Sequence, residues 1–153
     1  MKENILFGET LDEDKLQNTI ELCQLQSDIE VLPGGINTEI GEKGINLSGG
    51  QKARVSLARA VYANRDVILM DDPLSALDAK VKRRVFDNLI LGHLKDKTRI
   101  LVTHAVEFLE YADRIVIMEG GKVSHAGTFN ELADVPYIQQ IAETLNNIQL
   151  KRS

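Results

Sequence analysis

The residues best suited to chemistry are Ser48, Gly49, Gly50 and Gln51. They close the turn Leu47-Ser48-Gly49-Gly50-Gln51 and run directly into Lys52-Ala53-Arg54-Val55-Ser56-Leu57-Ala58-Arg59-Ala60. The second stretch carries its apolar residues at helical spacing, which puts the turn at a helix N-terminus. There the first backbone N–H groups lack intrahelical acceptors and the helix dipole favours an anion. Two glycines allow close backbone approach to a phosphate, and the serine adds a hydroxyl. A plain Ser N-cap followed by flexible glycines, with no ligand, accounts for the same residues.

A second group lies downstream. Asp71 and Asp72 follow the apolar run Val67-Ile68-Leu69-Met70, so they stand at the C-terminal end of a predicted strand, where open α/β sheets bind ligands. One carboxylate there can hold Mg²⁺ through water while the metal bridges nucleotide phosphates. The other can orient or deprotonate an attacking water. An Asp-Asp-Pro strand exit that only solvates a turn is the simpler alternative. Asp78, in Ser75-Ala76-Leu77-Asp78, is placed to cap the following helix, and capping alone would explain it. His104 comes just after Ile100-Leu101-Val102-Thr103, where an imidazole could reach a terminal phosphate or the attacking water, or be merely structural. His93 and His125 have no motif around them.

These residues need elements to hold them. Asp12 to Leu25 has helical periodicity through Leu16, Ile20 and Cys23, with Asp12, Glu13 and Asp14 in its first turn, and it ends before Leu32-Pro33-Gly34-Gly35. Thr38 to Gly44 follows neither period and is expected as a loop. The runs 67–70, 100–103 and 115–118 are predicted as buried strands of a parallel sheet covered on both faces. A helix through Val81, Val85 and Leu89 connects the first two as a crossover. Glu119-Gly120-Gly121-Lys122 predicts a hairpin into Val123 and Ser124. Ile138, Ile141, Leu145 and Ile148 predict a terminal helix after Pro136. The chain thus divides into a mainly helical part at about 1–65, an α/β part at about 66–132 and a C-terminal helix or linker at about 133–153.

Composition narrows the function classes. A length of 153 residues and 43% hydrophobic content suit a soluble globular chain, and the net charge of -5 without a basic block argues against nucleic acid as a partner. Arg54, Arg59, Lys80, Lys82, Arg83 and Arg84 are expected on solvated helix faces. Cys23, the only cysteine, sits in an apolar stripe and is expected to be a small core residue. No signal peptide is visible, and the apolar runs fall far short of the roughly 20 residues that cross a bilayer.

Together these motifs resemble the nucleotide-binding domains of ABC transporters. Leu47 to Gln51 is similar to the ABC signature, Val67 to Asp72 to Walker B with the catalytic position, Ser75 to Asp78 to the D-loop and His104 to the H-loop. Glu3-Asn4-Ile5-Leu6-Phe7-Gly8 resembles the segment after the Q-loop, and Thr38 to Glu42 the x-loop beside transmembrane coupling helices. The run Asp71 to Asp78 most resembles the first nucleotide-binding domain of the C subfamily, the multidrug-resistance-associated type. Most members carry Glu where this chain has Asp72. The shorter side chain implies a weak site, since a misplacement of about 1 Å can cost on the order of 10²-fold in rate.

The resemblance implies a partial P-loop NTPase fold of the α/β class, a helical subdomain followed by a parallel-sheet core with flanking helices. It implies ATP and Mg²⁺ as cofactors and a head-to-tail dimer with a second nucleotide-binding domain. Ser48, Gly49, Gly50 and Gln51 would contact the γ-phosphate of ATP held by that opposing domain. Asp78 would belong to the nucleotide-binding set, Asp71 would hold the metal, and Asp72 and His104 would be catalytic. Transmembrane domains would dock on the loop Thr38-Glu42, placing the domain at the cytoplasmic side of a membrane; a chain standing alone would be soluble. A P-loop, G-x-x-x-x-G-K-[ST], is absent from the sequence: its only Gly-Lys pair is Gly121-Lys122, followed by Val123. No Q-loop glutamine in a matching context is present either. Alternatives are a non-catalytic interaction protein and the head of a chromosome-maintenance or DNA-repair ATPase. The latter requires long heptad coiled coils that this sequence lacks.

Overall fold

The computed structural model describes residues 1–41 and 44–150, with side chains through residue 143. It comprises two compact units, Met1–Thr103 and His104–Ser153.

The first unit begins with three short helices, α1 (Lys2–Leu6), α2 (Glu13–Leu22) and α3 (Gln26–Val31), before the long α4 (Gly49–Ala63). Asp12 caps α2, its side chain accepting the Lys15 N–H at 3.0 Å, with Glu13 and Asp14 in the first turn where the dipole favours them. α4 packs against both α1 and α2, burying Val55, Ala58, Val61 and Tyr62 against a core that includes Ile5, Leu16, Ile20 and Leu25. The Tyr62 hydroxyl accepts the Asp12 N–H at 2.8 Å and donates to the Thr10 carbonyl at 2.7 Å, tying the entry of α2 to α4. Cys23 lies fully buried, as its place in the apolar stripe predicts, and desolvation pushes its thiol up to about 12.

β1 (Val67–Asp71) and β2 (Thr98–Val102) pair in parallel with Asp71 opposite Val102, joined by α5 (Ala79–Arg84). α5 continues through Val85–His93 with π-helical turns, marked by the Leu94 N–H donating to the Leu89 carbonyl at 2.9 Å. The widened turns still bury Val85, Phe86, Leu89 and Ile90 along one side.

The expected cover on both faces of the sheet is not found. Ile68 and Met70 are buried, but Val67, Leu69, Ile100 and Val102 on the opposite face are 53% to 73% exposed. Among the described residues of the first unit, that face stays open. The expectation came from apolar runs, which register that both faces are hydrophobic and not whether a layer covers each.

The third predicted strand belongs to the second unit. In the second unit β3 (Ile115–Glu119) pairs antiparallel with β4 (Lys122–Gly127) as a hairpin. Its turn runs through Gly120 and Gly121 at φ 53° and 75°, positive values that glycine adopts without strain. α6 (Pro136–Leu150) buries Ile138 and Ile141 against Ile115 and Leu132. Proline at its first position is pre-set for a helix start. Leu145 and Ile148, expected on the same stripe, have side chains outside the described residues.

Candidate phosphate site

Ser48 is the N-cap of α4, with extended backbone at φ -62° and ψ 163°. Its Oγ accepts the Gln51 N–H at 3.2 Å, and Gln51 Oε1 accepts the Ser48 N–H at 2.9 Å, a complete capping box. Because Ser48 Oγ is already an acceptor for Gln51, its own O–H remains to donate, the polarity an anionic oxygen requires. Gly49 and Gly50 occupy the first two helical positions, whose N–H groups have no intrahelical acceptor.

Both halves of the Gln51 amide are engaged within the chain. While Oε1 holds the Ser48 N–H, Nε2 donates to Asp28 Oδ1 at 2.8 Å. Asp28 Oδ2 pairs with Arg54 Nη1 at 2.6 Å, the two side chains being only 15% and 12% exposed. Arg54 also donates through Nη1 to the Gln24 carbonyl and through Nε to the Gly50 carbonyl at 3.3 Å. Arg54 is therefore not on a solvated face, contrary to the reading of its sequence spacing. Arg59 departs from that reading too, donating to the Asn4 carbonyl at 2.9 Å and lying 4.3 Å from the Phe7 ring centroid. Gln51 and Arg54 share a helix face at i, i+3 spacing, a signal for a common partner. Only the tertiary fold supplies that partner, Asp28 on α3.

The turn that ends in Asp78 lies against these glycines. A Cβ built on Gly50 would stand 2.9 Å from the Ala76 carbonyl oxygen, whereas one on Gly49 would meet only the Ala76 methyl at 3.8 Å. Asp78 caps α5, its Oδ1 accepting the Lys80 and Val81 N–H groups at 3.1 Å each.

At the end of β1, Asp71 is exposed on the same face as Val67 and Leu69. Asp72 extends the ladder by one bond, its N–H donating to the Val102 carbonyl at 2.8 Å, then turns sharply at φ 43°. A left-handed conformation costs a non-glycine residue roughly 1–2 kcal/mol, least for Asp and Asn. It is held by the ladder bond and by Ser75 Oγ donating to the Asp72 carbonyl at 2.9 Å. Among the described residues no three His, Cys, Asp or Glu side chains gather to hold a metal by themselves. Asp71, expected from the sequence to hold Mg²⁺ through water, stands exposed at the end of β1, and Asp72, expected to be catalytic, follows it in the left-handed turn. His104 opens the second unit as an exposed residue, its carbonyl accepting the Val106 N–H at 3.0 Å.

The loop from Thr38 is only partly available to a partner. Thr38 is buried and its Oγ1 accepts the Gly34 N–H at 3.0 Å, while Glu39 is exposed. Beyond it a groove of about 420 Å³ is lined by residues including Asn4, Ile40, Gly41, Leu47, Val55 and Arg59. Glu42, which ends the expected docking loop, lies outside the described residues.

The family model described as ABC transporter matches residues 2–75. "ABC transporter C family member 8" of Dictyostelium discoideum is 56% identical over 137 residues, which is 88% of this chain and 9% of the relative. This chain belongs to the ABC transporter family. "Multidrug resistance protein mrp-7" of Caenorhabditis elegans is 54% identical, and "ATP-binding cassette sub-family C member 3" of Homo sapiens 53%; each match covers 86% of this chain and 9% of the relative. The chain thus spans about a tenth of the length of these C-subfamily relatives. It corresponds to part of an ABC ATPase domain of the multidrug-resistance-associated type, with a partial P-loop NTPase fold. Among the described residues no helix is long and apolar enough to cross a membrane.

Proposed function

We propose that the chain supplies the signature half of a composite ATP site in an ABC transporter that exports a substrate. The Ser48 O–H and the Gly49 and Gly50 N–H groups donate to the γ-phosphate of ATP held by the P-loop of an opposing nucleotide-binding domain. The observation that carries this reading is the complete capping box, which engages the Gln51 N–H and leaves the Gly49 and Gly50 N–H groups at the start of a 15-residue helix without intrahelical acceptors. Gln51 takes part by fixing the turn.

Asp71, Asp72 and His104 serve nucleotide bound on the chain's own side of the dimer, where a P-loop has to be present. Asp71 would hold Mg²⁺ through water, and the metal would supply charge neutralisation at the phosphates. Asp72 orients the attacking water and accepts its proton, and His104 donates toward the terminal phosphate. Asp78, which caps α5 at the end of the turn lying against Gly50, belongs to the nucleotide-binding set. Transmembrane domains dock at Thr38-Glu42 and the adjoining groove, so the domain works at the cytoplasmic face of a membrane.

With no P-loop in its sequence, the purified chain is expected to show no MgATP turnover by itself, and turnover that disappears on Asp71→Ala would refute this. Sedimentation of the chain with a P-loop-bearing ABC domain is expected to show pairing that depends on ATP and is weakened by Ser48→Ala. Pairing that is indifferent to nucleotide would count against the composite site.

A further inference from the structure

Asp28 is 23 residues upstream of Gln51 and on a different helix, yet its carboxylate holds both side chains that frame the turn. Its acceptor-only chemistry fixes how the Gln51 amide must lie. The NH₂ group turns toward Asp28 Oδ1, which leaves Oε1 on the opposite side, 2.9 Å from the Ser48 N–H. The second oxygen, Oδ2, anchors Arg54, whose Nε reaches the Gly50 carbonyl inside the first turn. The turn is therefore gripped at its N-cap through Gln51 and inside its first turn through Arg54, with one carboxylate common to both.

From this geometry we infer that Asp28 is a positioning residue for the signature turn: it sets the orientation in which Ser48, Gly49 and Gly50 meet phosphate, without touching nucleotide itself. The inference rests on the composite-site reading and deepens it by assigning Gln51 and Arg54 to the support of the turn. An ion pair that merely strengthens the packing of α3 on α4 would lower stability without acting through Ser48. Action through Ser48 makes a different prediction, because residues in one hydrogen-bonded network are not additive.

The test compares the unsubstituted chain, Asp28→Asn, Ser48→Ala and the double variant, each paired with a P-loop-bearing ABC domain with and without ATP. Asn keeps the side-chain volume and an oxygen for Gln51 but removes the charge that holds Arg54. Asp28→Asn is expected to weaken ATP-dependent pairing about 10-fold, the scale of one charge-assisted hydrogen bond, and to leave nucleotide-independent pairing unchanged. The double variant should match Ser48→Ala within about 2-fold. Hydrogen exchange supplies a readout that needs no nucleotide. The Gln51 and Lys52 amides, bonded to Ser48 Oγ and to the Ser48 carbonyl at 2.9 Å, should exchange faster in Asp28→Asn, while amides in the C-terminal half of α4 do not.

Pairing by Asp28→Asn equal to that of the unsubstituted chain, or effects that simply multiply in the double variant, would overturn the inference. If ATP has no effect on pairing, or Ser48→Ala has none, the composite-site reading fails instead. In that case the exchange rates alone decide the role of Asp28, and unchanged exchange at Gln51 and Lys52 overturns it.

Discussion

Adjacent glycines of the signature turn should respond oppositely to alanine. Gly50→Ala would bring a methyl carbon to 2.9 Å from the Ala76 carbonyl oxygen and 3.7 Å from Leu77 Cδ2. The first contact is with backbone, so relief requires the Asp72-to-Asp78 turn or the start of α4 to shift, and overpacking of this kind costs roughly 1–3 kcal/mol. Replacing a helical glycine by alanine recovers up to about 1 kcal/mol, leaving Gly50→Ala destabilising by about 1 kcal/mol. Gly49→Ala has only the Ala76 methyl at 3.8 Å to meet, so the helical gain stands and the fold should become about 0.5–1 kcal/mol more stable. The two variants should therefore differ by about 2 kcal/mol. At about 4–8 °C per kcal/mol for a unit of roughly 100 residues, thermal unfolding followed by circular dichroism resolves the difference easily. Gly50→Ala as stable as Gly49→Ala would refute the close approach of the two turns.

Three further outcomes follow from local geometry. Asp78→Ala removes an acceptor shared by the Lys80 and Val81 N–H groups and should cost about 1 kcal/mol in urea unfolding, while Asp78→Asn should cost much less. Arg54→Lys should cost about 1–3 kcal/mol in the same assay, because one ammonium cannot span Asp28 Oδ2 and the Gln24 and Gly50 carbonyls. Cys23, its thiol raised by burial from 9.0 to about 12, should react with an alkylating reagent at pH 8 only when the chain is unfolded. Since the folded state holds that proton more tightly, stability should be unaffected by Cys23 below about pH 9 and should fall as pH rises from there through 12. A Cys23→Ala variant should lose that part of the alkaline dependence.

What the sequence disclosed was whatever depends on local pattern. The caps at Ser48 and Asp78, the parallel crossover and the Gly120-Gly121 hairpin are each written in a few consecutive residues, and each is present. The order of motifs from Leu47 to His104 sufficed for the family. Hidden were features set by partners distant in the chain. Arg54 and Arg59 have the spacing of solvated residues, and only the approach of α3 and α1 shows that each is bound. Gln51, which the family resemblance groups with the phosphate-contacting residues, has its amide engaged with Ser48 and Asp28, and the second of these bonds depends on the placement of α3. The left-handed turn at Asp72 is invisible in composition, because it follows from the ladder bond to Val102 and the clasp of Ser75.

The most direct test of the composite site is photolabelling with an ATP analogue that carries its reactive group on the γ-phosphate, bound by a P-loop-bearing ABC domain and mixed with this chain. Mass spectrometry should find the label within residues 48–51, only when both proteins and Mg²⁺ are present, and lost on competition with ATP. Labelling elsewhere in the chain, or equal labelling with the P-loop domain left out, would contradict the assignment of this turn as the signature half of a shared site.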